Sequence, residues 1–147
     1  MKLYFKGVVN VIAGISHITF IVKDIELATR FFVTIFEASL IYSSGDKQFS
    51  LSQEKFFMIG DVWVCIMEGD SLAERSYNHL AFKINDSDYD RYLERINSLG
   101  VVVRPNRPRV QGEGRSIYFY DFDNHLFELH TGTLQERLER YEEEIEG

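Results

Sequence analysis

Two stretches of the chain align without a gap: Ser16-His17-Ile18-Thr19-Phe20-Ile21-Val22 and Asn78-His79-Leu80-Ala81-Phe82-Lys83-Ile84. In each stretch a polar residue precedes a histidine, and apolar residues then alternate, as is typical of a half-buried β-strand. Because self-similar segments mark repeated structural units, the two stretches predict two copies of one module in this chain.

The same succession of patterns follows both stretches. Asp24 and Asp86 come at equal distances after the two histidines, where each carboxylate suits a helix N-cap. Apolar residues at helical spacing then run over 25–38 and 87–99, and Gly100 suits the left-handed end of the second helix. Three strand-like segments follow each helix: Leu40–Ser43, Phe56–Ile59 and Val62–Met67 in the first half, and Val101–Val103, Ile117–Tyr120 and His125–His130 in the second. The sequence therefore predicts an α+β fold built from paired βαβββ modules.

This organisation divides the chain into five parts. We predict an N-terminal extension over 1–13, a first module over 14–68, a linker over 69–76, a second module over 77–131 and a C-terminal helix over 132–147. The linker is predicted from its polar composition. The final helix is predicted from apolar residues spaced along one side, with Glu and Arg on the other.

Composition narrows the possible partners. The chain has 147 residues, of which 45% are hydrophobic, and a net charge of −7, which disfavours nucleic acid and anionic membranes as partners. A small anionic ligand stays possible, because a metal ion and a few arginines can reverse the sign of the charge locally. The single cysteine, Cys65, fits a reducing cytoplasm, and neither a signal peptide nor a membrane span is expected.

Three residues form a candidate metal site. A histidine in a strand is by itself more often a structural residue, but His17 and His79 occupy equivalent positions in the repeat, and a pseudo-twofold axis brings such positions together. Glu128 lies among apolar residues of the last strand, where a carboxylate is costly to bury unless a cation meets it. Two imidazoles and one carboxylate suit Mn²⁺, Fe²⁺, Co²⁺, Ni²⁺ or Zn²⁺.

From Gly14 to about Tyr141 the chain resembles the vicinal oxygen chelate superfamily, and within its fosfomycin-resistance branch it is most similar to the FosX-type fosfomycin epoxide hydrolases. The matching segments are Ile15–Asp24, residues 41–47, Phe49–Phe57, Trp63–Arg75, Arg107–Leu129 and Gly132–Arg140. The resemblance implies that an Mn²⁺-dependent enzyme adds water to the epoxide of fosfomycin and gives an inactive diol, which confers antibiotic resistance. It also implies a domain-swapped homodimer, in which His17 of one subunit and His79 with Glu128 of the other hold each metal ion.

Further site residues are implied by the same resemblance. Glu54 matches the base that activates water, although composition alone indicates an exposed acid at a hairpin end. Ser116 and Tyr118 would offer hydroxyls to the phosphonate, and Arg137 a guanidinium, although a surface pair on the final helix is the ordinary interpretation of Arg137. The other candidate substrate-binding residues are Arg109, Tyr77, Trp63 and Cys65.

Other functions remain open at the level of sequence. A thiol transferase using glutathione, cysteine or bacillithiol would act on the same epoxide, but the segment Arg107–Val110 lacks the Lys/Asn/Ser character of a potassium-binding loop found in one group of those relatives. A metal-dependent enzyme acting on another small phosphonate is a further alternative. Drug-binding proteins of this fold lack the metal ligands, and extradiol dioxygenases are normally longer and carry a second catalytic histidine.

Overall fold

The structure, a computed structural model, describes residues 11–146. Most of the predicted extension over 1–13 therefore lies outside the described residues. The first module contains β1 (His17–Val22), α1 (Ile25–Phe36), β2 (Ser39–Ser43), β3 (Glu54–Ile59) and β4 (Val62–Glu68). The second contains β5 (His79–Lys83), a 3₁₀ turn (Asp86–Asp88), α2 (Tyr89–Ser98), β6 (Val103–Arg104), β7 (Ser116–Tyr120) and β8 (Leu126–His130), and α3 (Leu134–Glu146) follows it.

The two modules have the same topology. Their sheets are ordered β1-β4-β3-β2 and β5-β8-β7-β6. In each sheet the first strand pairs in parallel with the last strand of its module, and the remaining pairs are antiparallel. The predicted α+β fold with paired βαβββ modules is confirmed. The histidine-bearing strands β1 and β5 are both edge strands, so each has one side open to pairing with another chain.

The two helices that follow the histidine strands begin differently. The Asp24 carboxylate accepts a hydrogen bond from the Leu27 amide at 3.0 Å, as expected of an N-cap. The predicted cap at Asp86 is wrong, because the 3₁₀ turn delays α2 until Tyr89. The Asp86 carboxylate instead accepts a hydrogen bond from Arg115 Nε at 2.8 Å. Gly100 has φ of 66°, as the predicted left-handed helix end requires.

A shared core lies between the two sheets. Phe31 and Phe36 of α1 both contact Phe127 of the second sheet, with ring centroids 5.7 and 5.4 Å apart. Phe57 of the first sheet stacks on α1 from the other side, through Phe32. Each sheet therefore turns one face to the core, and its other face points away from it. This outer face of each sheet carries the candidate site residues.

Removing one core ring tests this packing. Phe31 is fully buried and contacts aromatic rings from both modules. We expect Phe31→Ala to lower the free energy of unfolding by about 3–5 kcal/mol in urea titrations, because it leaves a cavity between the sheets. Val33→Ala on the same helix, where the side chain is 44% exposed, is the matched control and should cost less than about 1 kcal/mol. Equal effects of the two substitutions would contradict the shared core.

The predicted C-terminal helix is present as α3, and its apolar side is exposed at both ends and half-buried between them. Leu134 and Ile145 are 63% and 83% exposed, and no described residue of α3 is buried. Among the described residues, no helix is long and apolar enough to cross a membrane.

Candidate active site

Two predicted metal ligands meet on the outer face of the second sheet. β5 and β8 run in parallel with Ala81 opposite Glu128, which brings His79 beside the carboxylate. His79 Nε2 lies 3.0 Å from Glu128 Oε1, and Glu128 is only 4% exposed. Two ligands of one ion with bonds of about 2.1 Å at a right angle are about 3.0 Å apart, so this spacing fits a shared divalent cation.

The other nitrogen of His79 supports the same conclusion. His79 Nδ1 lies 2.6 Å from the carbonyl oxygen of Tyr77. A carbonyl oxygen can only accept, so Nδ1 carries a proton and donates it. In the neutral ring Nε2 then has a lone pair facing a carboxylate oxygen, and two acceptors need a proton or a metal ion between them. A backbone carbonyl that fixes the tautomer in this way is typical of metal-binding histidines.

His17 lies apart from that pair. Its ring lies on the outer face of the first sheet, with its centroid 4.3 Å from that of Trp63, and its Nδ1 is 3.0 Å from Ser16 Oγ. Within residues 11–146 of a single chain, no group of three His, Cys, Asp or Glu side chains is arranged to hold a metal ion. One chain therefore brings together two of the three predicted ligands.

Polar side chains hold the second oxygen of Glu128. Ser116 and Tyr118 lie opposite His130 and Glu128 in the β7–β8 pair, so all four share one face. The Ser116 hydroxyl donates to Glu128 Oε2 at 2.5 Å and contacts His130 Nδ1 at 2.7 Å. Arg109 Nη2 lies 3.5 Å from the same oxygen, and it donates to the Tyr118 hydroxyl at 3.0 Å. The predicted residues Ser116, Tyr118 and Arg109 are thus all placed beside Glu128.

Two residues at the edge of this cluster were also predicted. The hydroxyls of Tyr77 and Tyr118 are 3.3 Å apart, so Tyr77 adjoins the cluster. Arg137, in the second turn of α3, places Nη2 3.4 Å from His130 Nε2. Burial lowers the pKa of His130. His130 itself was not predicted as a site residue, although its alternation with Glu128 along one strand signals a shared face.

A buried carboxylate that was not predicted anchors the arginines. Glu113 is fully buried and accepts hydrogen bonds from Arg107, from Arg109 Nη1 at 3.1 Å and from the Val110 amide at 2.9 Å. Burial alone would raise the pKa of Glu113, but the Val110 amide and the Arg107 guanidinium hold it below its usual range. The signal in the sequence is a glutamate between two glycines, close to several arginines.

The outer face of the first sheet carries the remaining candidates. Trp63 and Cys65 alternate along β4, opposite His17 and Thr19 of β1. Glu54 begins β3, and its Oε2 accepts a weak hydrogen bond from Cys65 Sγ at 3.7 Å. Glu54 is 8% exposed, so the composition-based interpretation as an exposed acid is wrong: its carboxylate lies against Cys65, and its amide donates to the Ser44 hydroxyl at 3.0 Å. Thr19 was not predicted, although alternation places it on the face of His17.

The Cys65 thiol should react slowly. Burial and the adjacent Glu54 charge raise its pKa from 9.0 to about 11. Because the thiolate is the reactive form, we expect alkylation of the metal-free protein by iodoacetamide near neutral pH to be at least about 100-fold slower than in the unfolded chain. The same chain in urea is the matched control, since it contains the same cysteine. Equal rates in the two states would contradict the buried position beside Glu54.

Comparison with known proteins identifies the family. Residues 14–129 match the Glyoxalase/Bleomycin resistance protein/Dioxygenase superfamily. The chain belongs to this superfamily. It is 67% identical over 132 residues to the fosfomycin resistance protein FosX of Listeria monocytogenes, covering 90% of this chain and 99% of that protein. It is also 34% identical over 137 residues to the metallothiol transferase FosB of Staphylococcus saprophyticus, a match that covers 90% of this chain and 86% of that protein.

A solved structure shares the fold over most of the chain. A mutant of FosX from Listeria monocytogenes, complexed with Mn(II) and 1S,2S-dihydroxypropylphosphonic acid, superposes with a TM-score of 0.82. It is 63% identical, and the match covers 88% of this chain and 98% of that chain. The predicted resemblance to the FosX-type branch of the superfamily is confirmed.

Proposed function

We propose that this protein is a metal-dependent hydrolase that adds water to the epoxide of fosfomycin and gives an inactive diol, with Mn²⁺ as its metal. The observation that carries the proposal is the His79–Glu128 pair, in which two acceptor atoms face each other at 3.0 Å, a spacing that fits two ligands of one divalent ion. The similarity to FosX, whose complex contains Mn(II) and a dihydroxypropylphosphonic acid, supports both the metal and the reaction. The single cysteine is consistent with a place in the cytoplasm.

The metal would be held by His79 and Glu128 of one subunit and His17 of a second copy. One chain supplies only two of the three ligands within its described residues, and its edge strands β1 and β5 are open to pairing. Both observations support a domain-swapped homodimer with two sites. When bound, the divalent ion would act as a Lewis acid on the epoxide oxygen.

Glu54 is the base of this proposal. It lies on the outer face of the sheet that carries His17, so the dimer that completes the metal site also brings Glu54 toward the substrate. The Cys65 thiol is a weak donor, and its contact with Oε2 leaves carboxylate lone pairs available to a water molecule. Glu54 would accept the proton of that water as the oxygen attacks the epoxide carbon.

The phosphonate would be bound by donors around Glu128. Arg109 is held beside Tyr118 by Glu113, and Arg137 reaches the same cluster from α3. Among the described residues, Arg109 Nε is a buried donor without a hydrogen-bond partner, and so is Trp63 Nε1, which lies beside His17 on the first sheet. A dianionic substrate would satisfy such donors, because hydrogen bonds from guanidinium groups to phosphonate oxygens are charge-assisted.

A phosphorus-NMR assay tests the function. Purified protein with Mn²⁺ and fosfomycin, in the absence of any thiol, should convert the epoxide signal to that of the diol, and one ¹⁸O atom should enter from labelled water. Turnover that requires glutathione, cysteine or bacillithiol would contradict the hydrolase and favour the thiol transferase, the reaction class to which the similarity to FosB points. Turnover of neither kind would point to another small phosphonate as substrate.

A further inference from the structure

His130 lies next to the metal site but has no role in the chemistry described so far. Its ring is packed between two glycines: a Cβ at Gly132 would lie 2.8 Å from Nε2, and one at Gly114 would lie 3.1 Å from Cε1. A Cβ at Gly132 would also clash with the Glu113 carbonyl oxygen, so the two loops leave no space for a larger residue. The imidazole is therefore held in one orientation.

The hydrogen bonds around this ring have only one consistent direction. A carboxylate can only accept, so the single proton of the Ser116 hydroxyl is donated to Glu128 Oε2. At its contact with His130 the Ser116 oxygen must then accept, which places a proton on His130 Nδ1. Arg137 can only donate, so His130 Nε2 accepts from it.

We propose that His130 and Ser116 are positioning residues that orient Glu128 for the metal through one directed chain of hydrogen bonds, from Arg137 to His130 to Ser116 to Glu128. The chain holds Oε2, so that Oε1 faces His79. This inference rests on the proposed metal site, and it changes the role predicted for Ser116. Its hydroxyl has no proton left for a substrate oxygen, and the residue is only 1% exposed.

The tautomer of His130 is a direct test that needs no metal. In ¹⁵N-labelled, metal-free protein, long-range proton–nitrogen correlation should show His130 protonated at Nδ1 and unprotonated at Nε2. The signals are assigned to His130 because they are absent from the spectrum of the His130→Asn variant. A proton on Nε2 and none on Nδ1 would overturn the proposal. The Ser116 hydroxyl would then have to donate its one proton to Nδ1 and could not donate it to Glu128.

Mn²⁺ binding, followed by electron paramagnetic resonance, tests the consequence. Residues that hydrogen-bond to metal ligands typically account for 10- to 100-fold in metal affinity, so we expect Ser116→Ala and His130→Leu to weaken Mn²⁺ binding by about that factor. His130→Asn keeps a donor near the Nδ1 position and should bind within about threefold of the wild type. His125→Asn is the matched control, because the His125 ring pairs with Asp121 and lies on the face opposite to that of Glu128 and His130.

The outcomes separate this proposal from the proposed function. A wild-type protein that does not bind Mn²⁺ would remove the metal site, while the tautomer experiment still decides the hydrogen-bond chain. Tight binding by the wild type together with equally tight binding by His130→Leu would overturn the positioning role alone. Thermal unfolding would first establish that both His130 variants are folded. If His130→Asn then binds Mn²⁺ as weakly as His130→Leu, packing rather than the donor matters, and the positioning role is also overturned.

Discussion

Replacing Glu54 by glutamine should nearly abolish hydrolysis and leave metal binding intact. The substitution keeps the size of the side chain but removes the group that accepts a proton from water. We expect kcat for fosfomycin to fall by about 10²- to 10⁴-fold, the usual contribution of a general base. The affinity for Mn²⁺ should change by less than about threefold, because Glu54 lies outside the proposed ligand set. Both quantities can be measured on one sample, by phosphorus NMR and electron paramagnetic resonance.

Glu94→Gln is the matched control for this substitution. Glu94 is exposed on α2, remote from both outer faces, and its replacement removes the same charge. We expect wild-type turnover from it. A Glu54→Gln protein that keeps full hydrolysis would contradict the assignment of the base. One that loses Mn²⁺ binding would instead indicate that Glu54 is part of the coordination shell.

Each of the three predicted ligands should be needed for metal binding. We expect His17→Ala, His79→Ala and Glu128→Ala each to weaken Mn²⁺ binding by more than about 100-fold, because loss of one of three protein ligands leaves an incomplete shell. The effect at His17 is the informative one, since within a single chain His17 contacts Ser16 and Trp63 rather than the other two ligands. His125→Ala serves as the control, because His125 pairs with Asp121 and packs on Phe20. Wild-type affinity in His17→Ala would contradict the shared site.

The repeat made most of the fold predictable from sequence. Alternation along β1 and β5 depends on neighbouring residues alone, so it indicated both strands and the faces of His17 and His79. The cap at Asp24 was predictable for the same reason, because it involves only residues of the following helical turn. Asp86 differed because an ion pair with Arg115, distant in sequence, draws its carboxylate away from the helix. Local patterns carry no information about such a partner.

The site was only partly predictable for the same reason. His79, Glu128, Ser116, Tyr118 and Arg109 were identified individually, and the structure places them together. Glu113 and His130 were missed, because their importance depends on partners from other loops and strands. The direction of the hydrogen bond from Ser116 depends on the charge of Glu128 across the strand pair. Burial of Glu54 likewise depends on tertiary packing, which composition cannot show.

Mixed dimers test most directly whether two chains share each metal site. His17→Ala and His79→Ala chains carrying different affinity tags can be co-expressed, and the heterodimer isolated through both tags. In the heterodimer one site lacks both histidines, while the other combines His17 from one chain with His79 and Glu128 from the other. We predict that both parent homodimers are inactive and that the heterodimer recovers about half of the wild-type turnover and binds one Mn²⁺ per dimer. A heterodimer as inactive as its parents would contradict the shared site.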